Sequence, residues 1–166
     1  MRKEAALMKV MILDDDPLIL SLLGHIFHHR GYEVVTYSNP KACPAYLAET
    51  CRYLIEQTCP RVIISDYDMP FVNGLEFFEA LRKKGCRCAH MAMVSGSNPP
   101  PDVLNRVAEL GIKFFAKPFH RNQIIDWLDQ VEASQPAGKA AQPSSNGVNT
   151  ALAPSDDGAT VVAGLT

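Results

Sequence analysis

Five short apolar runs, each closed by a polar or acidic residue, alternate with amphipathic stretches from about Val10 to Glu132. Strands that are apolar along their whole length must be covered on both faces, and a helix between successive strands is what a parallel sheet requires. Val10-Met11-Ile12-Leu13 is the first run, and it stops at Asp14-Asp15-Asp16. Pro17 then opens a stretch with Leu18, Leu22, Ile26 and Phe27 at helical spacing, which predicts a helix with that stripe inward. Asp16 suits its N-cap, Pro17 its first position, where a missing N–H costs nothing, and Gly31 its end. Glu33 to Tyr37 reads as the second strand, broken by Asn39-Pro40, and residues 41 to 58 read as a helix despite Pro44.

Arg61 to Ser65 is the third strand, terminating at Asp66, and a loop through Asn73-Gly74 leads to a helix from about Leu75 to Lys84 with Leu75, Phe77, Phe78 and Leu81 inward. After Gly85, His90 to Val94 forms the fourth strand and Asp102 to Leu110 the next helix, ended by Gly111. Lys113 to Ala116 is the fifth strand, and Arg121 to Glu132 the last helix, with Ile124, Ile125, Leu128 and Val131 on one side. This order predicts an α/β fold of the flavodoxin-like, doubly wound kind: a five-stranded parallel sheet in the order 2-1-3-4-5 with helices on both faces. One domain is expected over residues 1–133. The Ala/Ser/Pro/Gly-rich residues 134–166 have too few large apolar side chains to form a core and predict a flexible tail.

Charge and hydropathy remove whole classes of function. The net charge of -2 leaves no excess of cations to neutralise a nucleic-acid backbone or to hold an anionic membrane. No apolar run approaches the roughly 20 residues that span a bilayer, and the start Met1-Arg2-Lys3-Glu4 has no secretory pattern, so a cytoplasmic protein is expected. Five cysteines, an odd number in a chain with no export signal, point to reduced thiols.

In an open α/β sheet, ligands bind beyond the carboxyl ends of the strands, near the point where strand order reverses. The first strand delivers Asp14 and Asp15 there, the third Asp66, the fourth Ser95 and the fifth Lys117. Carboxylates converging on one cleft repel one another unless a cation joins them, and few hard oxygen ligands in a small site suit Mg²⁺. Such an ion neutralises charge on a transferring phosphoryl group, with Lys117 as a second cation and Asp66 as nucleophile. The Ser95 hydroxyl supplies a hydrogen-bond donor, and Gly96 beside it allows the backbone to come close.

Ile12-Leu13-Asp14-Asp15-Asp16-Pro17, Ser65-Asp66-Tyr67-Asp68-Met69-Pro70 with Asn73-Gly74, Val94-Ser95-Gly96 and Lys117-Pro118-Phe119 together resemble the motifs of the response-regulator receiver of two-component signalling, over about residues 8 to 132. The stand-alone, chemotaxis-regulator-like kind is the nearest in form. The resemblance implies that Asp66 is the phosphoacceptor and that Mg²⁺ is held by Asp15, Asp66 and the backbone carbonyl of Asp68, with Asp14 acting through water. It implies that Ser95 and Lys117 contact the phosphoryl group and that a histidine kinase or phosphotransfer protein is the donor. It also implies a phosphoprotein that is no enzyme toward other substrates, although it assists its own phosphotransfer and dephosphorylation. Two positions depart from the commonest pattern: Ser95 stands where threonine is frequent, and the aromatic switch position holds Phe114, which has no phenolic hydroxyl. With only a tail after the receiver, output is expected as phosphorylation-dependent contacts of the fourth helix, fifth strand and fifth helix with a protein target that the residues do not name.

Two rival functions and three bland readings stand beside this one. Asp66-Tyr67-Asp68 also fits the nucleophile motif of haloacid-dehalogenase-type phosphatases, but there it follows the first strand and here the third. A receiver-fold interaction module that no longer uses phosphorylation would not need all five site residues. His25, His28 and His29 read as a solvated helix end, Trp127 and Phe119 as core as readily as a docking pair, and Val161, Val162 and Leu165 as disordered filler. Cys43, Cys51 and Cys59 are evenly spaced by eight. Cys59, Cys86 and Cys88 precede neighbouring strands and should gather, with Cys51, at the end of the sheet opposite Asp66. Buried reduced thiols, a Zn²⁺ site and a redox-sensitive disulfide are the alternatives there.

Overall fold

The computed structural model describes residues 8–51 and 59–134. Strands β1 (Lys9–Leu13), β2 (Glu33–Tyr37), β3 (Val62–Asp66), β4 (His90–Ser95) and β5 (Lys113–Ala116) form one sheet in the order β2-β1-β3-β4-β5. Every neighbouring pair is parallel. The central β3 is buried at every residue, whereas the edge strand β2 has only exposed and half-buried positions, and this is why β3 is the more apolar of the two.

Around the sheet run helices α1 (Pro17–His29), α2 (Pro44–Leu47), α3 (Gly74–Lys83), α4 (Pro101–Glu109) and α5 (Arg121–Ala133). Strand side chains alternate between two cores. Val10, Ile12, Val62, Ile64, Ala92 and Val94 meet Leu23, Ile26, Phe27, Ile124, Trp127 and Leu128 of α1 and α5. On the other face, Met11, Leu13, Ile63, Met91 and Met93 meet Phe77, Phe78, Leu81 and Val107 of α3 and α4. Trp127 is a core residue, packed edge-on to Phe115 with ring centroids 5.8 Å apart, and Phe119 is partly buried in the same core. His25, His28 and His29 are exposed.

The helix ends follow the sequence signals. Asp16 accepts from the Leu18 N–H at 2.8 Å with Pro17 at the first turn. Asn73 and Glu76 form a reciprocal capping box that starts α3 one residue earlier than expected, at Gly74. Gly31, Gly85 and Gly111, at φ of 81°, 85° and 68°, stop α1, α3 and α4.

Two expectations fail for physical reasons. Ile26 and Phe27 are buried as expected, but Leu18 and Leu22 are 76% and 42% exposed, because in the first half of α1 Ile19 and Leu23 take the inward positions. The first two turns are apolar nearly all round, so spacing alone does not fix their phase. The helix expected over residues 41 to 58 is broken: a 3₁₀ turn over Pro40–Ala42 precedes α2, which ends as Ala48 turns extended at ψ 148°. The Lys84 ammonium takes the Tyr46 carbonyl that a longer helix would use, and the Cys51 N–H turns instead to the Lys84 carbonyl at 2.9 Å. Residues 52–58 of that expectation lie outside the described residues, as does the expected tail beyond Ser134.

Gly74 ties α3 to the end of β3. A Cβ there would lie 2.3 Å from the Asp66 carbonyl oxygen, closer than any side chain permits. Gly74→Ala is therefore expected to destabilise the fold by about 2–3 kcal/mol, as overpacking against backbone does. Denaturant unfolding checks this, and a loss under about 0.5 kcal/mol would show that α3 shifts freely.

Candidate functional site

Parallel strands end on one side of the sheet, and there the structure brings Asp14, Asp15, Asp66, Ser95 and Lys117 together. Backbone hydrogen bonds beyond the strands hold these ends in place: Tyr67 N–H to Val94 O at 2.7 Å and Lys117 N–H to Ser95 O at 2.7 Å. Asp14 is fully buried, with Oδ1 accepting from the Asp16 N–H at 2.9 Å and Oδ2 from Lys117 Nζ at 2.9 Å. The same ammonium lies 2.8 Å from Oδ1 of Asp66, an ion pair that is this buried oxygen's one partner among the described residues.

Burial pushes the Asp66 carboxyl above its ordinary range; Lys117 offsets part of this, and the nearby Asp14 charge adds to it. For Lys117, burial acts to lower the pKa, but Asp66 and Asp14 outweigh it and the ammonium is held charged to higher pH than usual. Carboxylate oxygens of Asp14, Asp15 and Asp66 all lie within 4.8 Å of one another, with Asp15 exposed and the other two buried. Among the described residues no other group of three His, Cys, Asp or Glu side chains does so. An all-carboxylate set of hard oxygens, buried at Asp14 and Asp66 and open to solvent at Asp15, fits a small divalent cation.

Residues 10–129 match the family described as the response regulator receiver domain. The chain belongs to that family. Among curated relatives, a putative two-component response regulator of Arabidopsis thaliana is 28% identical over 67% of this chain and 17% of its own length. A protein-glutamate methylesterase/protein-glutamine glutaminase of Chromohalobacter salexigens is 30% identical over 81% of this chain and 39% of its own. The chain therefore spans well under half of these relatives, which carry further regions that it does not match. Among solved structures, chemotaxis protein CheY4 of Vibrio cholerae superposes with a TM-score of 0.61 at 26% identity, covering 76% of this chain and 99% of that one. A response regulator receiver protein of Pseudomonas putida shows the same fold at a TM-score of 0.63 and 23% identity, covering 76% and 98%.

In this receiver the side chain of Asp68 has a place that its sequence motif did not announce. Its Oδ2 accepts from Ser95 Oγ at 3.0 Å and from Ser97 Oγ at 2.8 Å, while Ser95 Oγ also lies 3.0 Å from the Ser97 carbonyl. The Ser95 hydroxyl is thus held in a local network with Asp68 and Ser97. Three hydroxyl-bearing or acidic residues at these loop ends were the available signal, but a loop's closure is not readable from its composition. Ser65 was also missed: its buried hydroxyl donates to the Asp66 carbonyl at 3.0 Å, the same oxygen that Gly74 packs against. A Cβ on Gly96 would make only ordinary contact with Lys117, at 3.9 Å, so that glycine is not sterically required in this state. Phe114 is half-buried against the α3/α4 core, and the Lys117–Pro118 peptide is cis. No described helix is long and apolar enough to cross a membrane.

Proposed function

We propose that this receiver is the phosphoacceptor of a two-component phosphorelay, taking a phosphoryl group on Asp66 from a phosphohistidine of a histidine kinase or phosphotransfer protein in the cytoplasm. The observation that carries the reading is a buried carboxylate, Asp66, ringed by two further carboxylates and one ammonium at the carboxyl edge of the sheet. Asp15 and Asp66, with the backbone carbonyl of Asp68 and with Asp14 acting through water, would hold Mg²⁺. The ion supplies neutralisation of the charge on the transferring phosphoryl oxygens.

The chain's own groups do the rest. Burial keeps Asp66 poorly hydrated and so a better nucleophile, while Lys117 keeps enough of it ionised to attack phosphorus. As the Asp66 O–P bond forms, the P–N bond to the donor imidazole breaks, and Lys117 exchanges part of its contact with Asp66 for a phosphoryl oxygen. Ser95 turns its hydroxyl from Asp68 toward the same group. That movement, with Phe114 packing behind it, changes the surface of α4, β5 and α5, where a cavity of about 270 Å³ is lined by Phe114, Gln123, Asp126 and Trp127. Output is then an altered contact with a protein target. The domain proper is residues 1–133, so truncation after Ala133 leaves phosphotransfer and unfolding unchanged.

Labelling with a small acyl phosphate tests the reading: label is expected on the protein with Mg²⁺ present and is lost on chelation. Label that persists after chelation would remove the metal, and absence of label from any phosphodonor would leave only a receiver-fold interaction module. Asp68→Ala frees the Ser95 hydroxyl and removes a negative charge from the cleft. Labelling is expected to accelerate about five-fold, the rate equivalent of about 1 kcal/mol, the net worth of one hydrogen bond. An unchanged or slower rate would mean that the Asp68 network does not oppose transfer.

A further inference from the structure

The five cysteines are free thiols, all but Cys59 buried, as small apolar side chains usually are. Unpaired main-chain groups lie instead at the open edge of the sheet, where β5 pairs with β4 on one side only. The Lys117 N–H donates to the Ser95 carbonyl, so by the alternation of a strand the main-chain groups of Lys113 and Phe115 also turn toward β4. Those of Phe114 and Ala116 therefore point away from the sheet, and among the described residues no strand lies beside them.

Alongside that edge runs α5. Gln123, Asp126 and Gln130 are exposed and stand at i, i+3 and i+7, one row of the helix. With Trp127 they wall the cavity of about 270 Å³ whose other side is the strand from Lys113 to Ala116. Row and strand match in length: seven helical residues rise about 10.5 Å, and three strand steps about 10 Å. Among the described residues the side chains of Asp126 and Gln130 have no hydrogen-bond or ion-pair partner. Lys113, the one cation in the lining, keeps its ammonium over the Phe115 ring, 5.7 Å from the centroid. An exposed carboxylate is ordinary by itself. Set in the wall of a groove floored by unpaired main-chain donors and acceptors, it selects a cation on whatever lies there.

We propose that this groove, on the face read above as the output surface, takes an extended segment of a partner protein as a sixth strand, with a lysine or arginine opposite Asp126; the assignment rests on that reading of the face. Phe114 and Ala116 each offer one N–H and one carbonyl, which an extended chain can meet and a helix cannot, because a helix satisfies its own main chain. Alternate side chains of the added strand face α5, where the Gln123 and Gln130 amides meet polar groups and Asp126 meets the cation. The groove also ends one strand away from the phosphoryl-contacting hydroxyl, since Ala116 is in register with Ser95. A movement of Ser95 is therefore passed to a residue whose main chain the partner holds.

The test uses the peptide acetyl-Thr-Val-Lys-Val-Thr-amide, titrated into the full chain, with versions carrying glutamine or glutamate in place of the lysine. Binding is read from the fluorescence of Trp127, the chain's single tryptophan, and from hydrogen exchange of the Phe114 and Ala116 amides, which the peptide should slow at least ten-fold. Glutamate should weaken binding at least ten-fold relative to lysine. Asp126→Asn, at an exposed helix position, should erase the difference between the lysine and glutamine peptides. N-methylation at the lysine, or at the two valines, removes the donors from one edge of the peptide or the other, so one set should lose binding at least ten-fold and the other keep it. No saturable binding, equal effects of the two methylations, or a lysine preference that survives Asp126→Asn would overturn the proposal. So would a dimer in sedimentation that the peptide does not dissolve, since the groove would then belong to a second copy. Labelling by a small acyl phosphate is measured on the same preparation. A protein that labels normally and binds no peptide fails here alone, whereas an affinity unchanged by labelling would keep the added strand and overturn its tie to phosphorylation.

Discussion

Asp66→Asn is expected to lose all phosphoryl labelling and, at neutral pH, to unfold less readily than the natural chain. The first effect follows if Asp66 is the nucleophile, since an amide oxygen neither carries the charge nor forms the acyl phosphate. A residual rate above about one hundredth of the original would mean that another carboxylate, Asp14 or Asp15, accepts the group. The second effect follows from the electrostatics of the site. Burial and Asp14 raise the Asp66 pKa above its ordinary 3.8, more than Lys117 lowers it. A carboxyl whose folded-state pKa is raised binds more protons folded than unfolded, so its ionised form costs stability at neutral pH and that cost disappears as pH falls through the folded pKa. The advantage of the amide, on the order of 1 kcal/mol in the absence of divalent cations, should therefore shrink between the folded-state pKa and 3.8. Paired urea titrations across acid pH in a chelating buffer measure it. An advantage that grows on acidification would have the wrong sign for a buried, repelled carboxylate.

The architecture was legible because each strand is bounded by residues that can do little else. Val62-Ile63-Ile64-Ser65 closed by Asp66 allows only a buried strand emerging at an edge, and Asp16-Pro17 marks a helix start whose side chain satisfies an orphan N–H group, whereas the capping box of Asn73 and Glu76 was not read from the sequence. Strand order alone puts Asp14, Asp15, Asp66, Ser95 and Lys117 at one edge of the sheet. Less accessible was whatever depends on one side chain finding another across the fold. Lys84 capturing the Tyr46 carbonyl, Asp68 gathering Ser95 and Ser97, and the phase of the apolar α1 are tertiary outcomes with no local signature. Gly74 lay between these extremes: the sequence marked it as part of a motif, but its near-contact with the Asp66 carbonyl shows why a side chain is forbidden there.

Lys117→Met should produce the largest loss of stability of any change at the site, about 3 kcal/mol in chelating buffer, because it strands charge in the interior. Asp14 is fully buried and the Asp66 side chain 3% exposed, and a single ammonium, at 2.9 and 2.8 Å, serves both. Methionine keeps the apolar stem and deletes the charge, so packing changes little. Contacts with Asp66 and Asp14 raise the Lys117 pKa above 10.5 despite its burial. So far as its own titration goes, the stability it adds is present below 10.5 and fades as pH rises through the folded-state value. At neutral pH the deficit is thus complete, and it should narrow on acidification as Asp66 takes up a proton and ceases to need a partner. If the carboxylate cluster holds Mg²⁺, the ion binds a more negative site once the lysine is gone, and so it should raise the unfolding midpoint of Lys117→Met more than that of the natural chain. A deficit under about 1 kcal/mol without metal would show that the carboxylates reach solvent after all. Equal metal-induced shifts in the two proteins would show that Lys117 and the cation do not share the same charge.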